Sequence, residues 1–259
     1  MCTHKVVAVI GSTGRVGSWL VRVAEAMGSE VIKTWSGSEV TNRDAVIRAD
    51  VVIFAIPLDA LQDEVKQLAP LARRGQLWIS VGARQGAMSE TFLALPCESA
   101  MFHPLFAPDG DAVAYPDETI VFSQMGAAKW LEWVNSFLST IGSRITSSEP
   151  ETHDRMMLLE QNLLHAALLA LGLVWARSGI SLVGLDNYAT HASRRIQAQL
   201  RRMAGNSPAT YADIQLTTEQ SGINAVNQII AALFEVRTAL LEGDRVRLER
   251  LFAELEFFA

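Results

Sequence analysis

The chain has 259 residues, enough for one large domain or two modest ones, and 49% of them are hydrophobic, which supplies a core and excludes a disordered chain. A net charge of -6 argues against a general nucleic-acid binder. Two cysteines, Cys2 and Cys97, at no metal or redox spacing exclude a disulfide scaffold and fit a reducing cytoplasm.

The elements begin almost at once, so no signal peptide is expected ahead of them. Val6–Ile10 reads as a strand buried on both faces, and it breaks into Gly11-Ser12-Thr13-Gly14-Arg15-Val16-Gly17. A helix over Ser18–Met27 follows. A helix N-terminus aimed at a glycine turn offers unpaired N–H groups and partial positive charge to a phosphate, the arrangement that binds dinucleotides. The same turn can also serve tight strand–helix packing with no ligand. The spacing is G-x-x-G-x-x-G, looser than G-x-G-x-x-G.

Alternation continues. Strands are expected over Glu30–Thr34, Val51–Ile56, Gln76–Val81, Ser99–Phe102, Glu118–Phe122 and Arg144–Ser147. Helices are expected over Thr41–Ala49, Leu61–Leu71 and Ala127–Ile141. From Glu149-Pro150 onward no strand is expected, and helices are read over Glu151–Arg177, Asp186–Met203, Ala209–Thr217, Glu219–Glu242 and Asp244–Phe258. The longest apolar run, Leu163 to Ala176, is shorter than the roughly 20 residues a bilayer needs and reads as a helix buried on most sides. The architecture is therefore α/β: a Rossmann-like, doubly wound, mostly parallel sheet over residues 1–148, followed by an all-α domain over 149–259. The apolar face Ile223, Val226, Ile229, Ile230, Leu233 suggests packing against a second subunit.

Four features could carry chemistry. His103 lies in Met101-Phe102-His103-Pro104-Leu105-Phe106-Ala107-Pro108-Asp109-Gly110 after a strand. A buried neutral histidine beside a nicotinamide could accept a hydroxyl proton as hydride leaves, or it could only pack the loop. His153 with Asp154 reads as a cap at the start of its own helix. His165, among leucines and alanines, reads on its own as a core residue. Arg194, Arg195, Arg201 and Arg202 read as a solvated face, from which one member could pair with a substrate carboxylate. No zinc-ligand spacing and no nucleophile elbow is present, so no metal is expected.

Together these residues resemble the prephenate/arogenate dehydrogenase (TyrA) family. The glycine turn, the His103–Asp109 stretch, His153-Asp154 with His165, Arg202 ahead of Pro208, Tyr211-Ala212-Asp213-Ile214 and Leu241-Glu242-Gly243-Asp244 follow in order over nearly the whole chain. The resemblance implies a nicotinamide-binding domain, a helical dimerisation domain and an active site between them. It implies oxidative decarboxylation of a cyclohexadienol with NAD or NADP, in a cytoplasmic homodimer without membrane or nucleic-acid partners. His103 and His165 then match catalytic histidines. Arg202, Asp109, Ser80, Gly82 and Gln161 fall at substrate-binding positions. The cofactor-binding set is Gly11, Ser12, Thr13, Gly14, Arg15, Val16, Trp35, Ser36, Ala55, Ile56 and Pro57.

Two departures matter. Gly82 stands where the family usually carries a serine, with Ser80 two residues away on the same strand face, which leaves room for 4-amino-4-deoxyprephenate as substrate. No acid ends the second strand, where Lys33, Ser36 and Ser38 could tolerate a 2′-phosphate. A non-catalytic cofactor-binding regulator shares the architecture, as do β-hydroxyacid dehydrogenases and imine reductases. His103, His165 and Arg202 argue against the first. The absence of any lysine after Lys129 argues against a lysine-dependent form of the others.

Overall fold

A computed structural model of the chain describes residues 4–126 and 128–258; Cys2, and Ala127 at the start of one expected helix, lie outside them. The chain divides into two compact units, Met1–Arg155 and Met156–Ala259.

The first unit holds strands β1 (Val6–Ile10), β2 (Glu30–Thr34), β3 (Val51–Phe54), β4 (Leu77–Val81), β5 (Glu98–Pro104), β6 (Thr119–Met125) and β7 (Arg144–Ser147). Helices α1 (Arg15–Ala26), α2 (Asn42–Arg48), α3 (Leu58–Leu68), α4 (Gly86–Leu93) and α5 (Leu131–Ile141) connect them, and α6 (Pro150–Met157) begins at its end. The seven strands form one sheet in the order β2-β1-β3-β4-β5-β6-β7. Every neighbouring pair is parallel except β5–β6. This is the doubly wound sheet that the alternation of elements predicts. Helix α4 was not expected from the sequence.

Strand β1 is buried on both faces because helices cover both sides of the sheet. Val7 and Val9 enter one core cluster with Trp19 and Phe137, while Ala8 and Ile10 enter another with Phe54, Trp78 and Phe92. Trp19 on α1 is fully buried, meets Phe106 and Tyr115 edge-on, and donates from Nε1 to the Val113 carbonyl at 2.9 Å. Truncating such a side chain costs about 3–5 kcal/mol. Its contacts, with Arg22 Nη2 donating to the Gly110 carbonyl at 2.9 Å, fasten the β5–β6 loop onto α1.

The second unit is helical: a π-helical turn (Leu158–Leu163), then α7 (Leu164–Arg177), α8 (Leu182–Asn187), α9 (His191–Ala204), α10 (Pro208–Leu216), α11 (Glu219–Glu242) and α12 (Arg245–Ala253). The single helix expected over Asp186–Met203 is two. Ser181 caps α8 by accepting from the Gly184 amide, and Thr190 caps α9 by accepting from the Ser193 amide, so a fresh helix starts at each.

The helix expected over Glu151–Arg177 is present, but the expectation that its apolar run Leu163–Ala176 is buried on most sides is corrected. It belongs to a continuous 28-residue helical run, Pro150–Arg177, long and apolar enough to cross a membrane by length and composition alone, and only 11% of its apolar window is buried. Leu164, Leu169 and Val174 are exposed: among the described residues nothing covers them.

Candidate active site

The first feature is a cavity of about 290 Å³ at the carboxyl ends of β1 and β3. It is lined by Ile10, Gly11, Thr13, Gly14, Trp35, Ser36, Asn42, Ala55, Ile56 and Pro57. These two strands flank the point where the strand order reverses, which is where open α/β sheets bind ligands. Two glycines make the turn possible. Gly11 has φ 86°, and a Cβ there would sit 2.4 Å from the Ala55 carbonyl oxygen. A Cβ on Gly17 would sit 2.0 Å from the Gly11 carbonyl oxygen. No side chain caps α1 at Gly14, and no acid stands in its first turn. The partial positive charge at the start of α1 therefore meets no side-chain cap and no acid of its own first turn.

Not every member of the sequence-derived set lines this cavity. Ser12 Oγ donates to the Thr34 carbonyl at 3.1 Å, and Val16 packs on the core. Arg15 opens α1. Lys33 is ion-paired with Glu25 at 2.8 Å, and Ser38 Oγ donates to the Val40 carbonyl at 2.6 Å, so neither stands ready for a phosphate. Asn42, unmentioned by sequence reasoning, lines the cavity from the start of α2.

The second feature is on the same edge of the sheet. His103 is the penultimate residue of β5 rather than a loop residue, and it is buried. Its Nδ1 lies 2.8 Å from Nε2 of His153, which is also buried. His153 Nδ1 lies 2.9 Å from Asp154 Oδ1. Asp154 accepts from the backbone amides of Gln85 (2.8 Å, Oδ1) and Gly86 (3.0 Å, Oδ2). Arg84 Nε approaches Oδ2 at 3.2 Å, as an ion pair outside hydrogen-bonding direction. Asp154 is thus a cap, as the sequence suggests, but of α4 and not of its own helix. The two amides at the start of α4 would otherwise be orphans. Ser123 Oγ lies 2.5 Å from both the Gln85 side chain and the Ser148 carbonyl, fixing this junction.

Burial, reinforced by charge on His153 and opposed by Asp154, pushes the His103 pKa down from 6.5 to about 3. Burial works to raise that of Asp154, but the hydrogen bonds from His153 and Gln85 and the Arg84 charge outweigh it and hold the carboxyl below its ordinary value. The pocket therefore holds a neutral imidazole against an ionised carboxylate, with one histidine between them. Ser80 on β4 is buried and registers with Met101 of β5. Gly82 donates its amide to the Phe102 carbonyl at 3.0 Å, and the space where its Cβ would project is open. Asp109 is exposed and held by Tyr115, whose hydroxyl accepts from the Asp109 amide at 2.8 Å.

The second unit has its own cluster. His165 on α7 meets Tyr211 of α10 edge-on at 4.9 Å, and Asn206 Nδ2 reaches Tyr211 Oη at 3.3 Å and the Arg202 carbonyl at 3.0 Å. Gln161 and His165 stand four residues apart on one helical face. Gln161 Oε1 and His165 Nδ1 are both buried without a hydrogen-bond partner. Burial lowers the His165 pKa. Of the arginine cluster, Arg201 Nη2 donates to both carboxylate oxygens of Asp186 at 2.7 and 2.8 Å, while Arg202 lies exposed in the last turn of α9.

Residues 149–254 match the model of the prephenate dehydrogenase dimerisation domain. A 4-amino-4-deoxyprephenate dehydrogenase of Streptomyces pristinaespiralis is 29% identical over 95% of this chain and 88% of its own. A probable arogenate/prephenate dehydrogenase of Methanocaldococcus jannaschii is 26% identical over 83% of this chain, which spans about half (52%) of that protein's length. In fold, prephenate dehydrogenase of Aquifex aeolicus, solved with hydroxyphenyl propionate and NAD+, superposes with a TM-score of 0.77 at 16% identity, covering 99% of this chain and 97% of that one.

Along its length the chain is similar to prephenate-type dehydrogenases, and residues 149–254 match their dimerisation domain. The residues that sequence reasoning missed are those that hold the recognised ones. Arg84, Gln85 and Gly86 surround Asp154, and Asn206 donates to Tyr211, the recognised ring that meets His165. The available signal was the His153-Asp154 pair itself, two polar residues side by side at the entry to an apolar helix.

Proposed function

We propose that the chain is an NAD(P)-dependent dehydrogenase that oxidatively decarboxylates a prephenate-type cyclohexadienol. The observation that carries this reading is a neutral, buried His103 on the same carboxyl edge of the sheet as a glycine-lined cavity. The uncapped start of α1 and the tight Gly11–Gly17 contact suit a dinucleotide pyrophosphate. Gly11, Thr13 and Gly14 would hold it, with Trp35, Ser36 and Asn42 at the adenosine end and Ala55, Ile56 and Pro57 along the third strand. A bound nicotinamide would supply the hydride acceptor.

His103 Nε2, the ring nitrogen not engaged with His153, accepts the proton of the C4 hydroxyl as hydride leaves C4. The C1 carboxylate departs as CO2, and its bonding electrons complete the aromatic ring. The proton returns to the oxygen, so the histidine ends as it began. Arg202 binds a substrate carboxylate as a two-pronged donor, and His165 and Gln161, with their unpartnered polar atoms, orient the substrate. The exposed faces of α7 and α11 pack against a second copy, giving a cytoplasmic homodimer.

Open space at Gly82 favours a second reading of the substrate: a C4 amino group in place of hydroxyl, the substrate named for the Streptomyces relative. Reduction of NAD+ or NADP+ measured with prephenate, arogenate and 4-amino-4-deoxyprephenate in turn tests both. Turnover of any of the three supports the dehydrogenase. The preferred substrate decides the C4 group.

A further inference from the structure

We propose that Asp154 and His153 form a proton relay behind His103, fixing its tautomer and carrying positive charge away from the reacting centre. This rests on the reading of His103 as the substrate's proton acceptor. The relay is read from geometry, starting at the one group whose state is fixed by its surroundings. The Asp154 carboxylate faces two backbone amides and the Arg84 guanidinium, and an ionised carboxylate only accepts. Gly86 lets it come that close: a Cβ there would sit 3.0 Å from Oδ2.

His153 Nδ1, 2.9 Å from Oδ1, therefore carries a hydrogen. In a neutral His153 the lone pair is then on Nε2, which faces His103 Nδ1 at 2.8 Å. His103 Nδ1 carries the hydrogen in turn, and its Nε2 presents a lone pair. With both rings neutral, this is the arrangement in which each contact pairs one donor with one acceptor.

The same chain can conduct. When Nε2 of His103 takes the substrate proton, the Nδ1 hydrogen passes to Nε2 of His153. One O–H or N–H bond of the substrate breaks as the N–H at His103 Nε2 forms. One N–H at His103 Nδ1 breaks as that at His153 Nε2 forms. No electrons leave the three side chains. The positive charge ends on His153, against the Asp154 carboxylate, rather than on His103, which is buried in β5 beside Val121 of β6. Two further charged groups stand on the elements packed here: Arg84, ahead of α4 and paired with Asp154, and Glu151, one turn earlier on α6, whose Oε1 is 3.5 Å from Ser89 Oγ. Running the steps backward returns the proton to the product. His153 and Asp154 are positioning residues in this scheme, since they act through His103.

Long-range proton–nitrogen spectra of the full chain with 15N-labelled histidine test the tautomers without turnover. Both His103 and His153 should report hydrogen on Nδ1 and a free Nε2 at neutral pH. The kinetic arm is Asp154→Asn, with Asp154→Glu as the conservative variant. The first should lower kcat by about 10²-fold with KM little changed and move the acid limb of the kcat–pH profile; the second should recover part of the loss. Hydrogen on Nε2 of His103, or an Asp154→Asn enzyme with unchanged kcat and pH profile, would overturn the relay. If the unaltered chain turns over no cyclohexadienol, the functional reading fails, and the tautomers alone then decide whether the relay is built.

Discussion

His103 Nδ1 lies 2.8 Å from His153 Nε2, so two buried histidines, one ending a strand and the other in the first turns of a helix, share a hydrogen bond. That contact leaves a single ring nitrogen of His103 for a substrate. Replacing His103 with Asn should lower kcat by about 10²–10⁴-fold while NAD+ still binds, because the glycine cavity does not include the imidazole. Steady-state kinetics with tryptophan quenching as the binding readout checks both halves. Retained turnover would remove His103 from the chemistry.

The burial of His103 also makes folding stability depend on pH. Its pKa lies at about 3 in the folded chain against 6.5 for an ordinary histidine. Between those values the unfolded chain binds a proton there that the folded chain refuses. Stability is therefore full above pH 6.5 and falls as pH drops, by up to about 1.4 kcal/mol per pH unit. Asp154, with its pKa held low, adds to the loss as pH falls through its folded value. Urea midpoints from pH 7 downward should decline, and the decline should be shallower in His103→Asn. Identical slopes for the two proteins would show that the histidine titrates normally.

Gly17 should not tolerate even a methyl group. Its added Cβ would meet the Gly11 carbonyl oxygen at 2.0 Å and Ser12 Cα at 3.1 Å, both backbone atoms of the cofactor turn. Gly17→Ala should cost about 1–3 kcal/mol and weaken NAD+ binding together. Denaturation and a binding titration measure the two effects, and a variant normal in both would mean that the turn yields.

Gly82 is the converse case, with open space at its Cβ position. Gly82→Ser should fold normally and raise kcat/KM for a C4-hydroxyl substrate relative to its C4-amino analogue. An unchanged ratio would separate this position from recognition of the C4 group.

The uncovered apolar residues of α11 set the assembly prediction. Ile230 and Leu233 are 50% and 61% exposed in one chain. Sedimentation should find a dimer, and Ile230→Arg should shift it toward monomer. A monomeric parent chain would contradict the pairing of these faces.

The sheet was legible because β1, β3 and β4 are buried on both faces and read as continuous apolar runs. Helix α4 was not: it is short, starts at a glycine and takes its cap from Asp154, a residue distant in sequence that no local pattern reveals. For the same reason the roles of Arg84 and Gln85 were invisible, since both depend on a contact across the fold. The exposure of α7 was misread because an apolar helix looks alike whether its own chain or another covers it. The glycine turn was legible because backbone crowding leaves a direct trace in residue choice.

The most direct test is the stoichiometry of a single reaction. The chain is mixed with NAD+ or NADP+ and each of prephenate, arogenate and 4-amino-4-deoxyprephenate, and reduced nicotinamide and CO2 are measured together. One reduced cofactor and one CO2 per substrate consumed, lost in His103→Asn, is the result expected. A cofactor that binds but is reduced with none of the three would contradict the dehydrogenase reading.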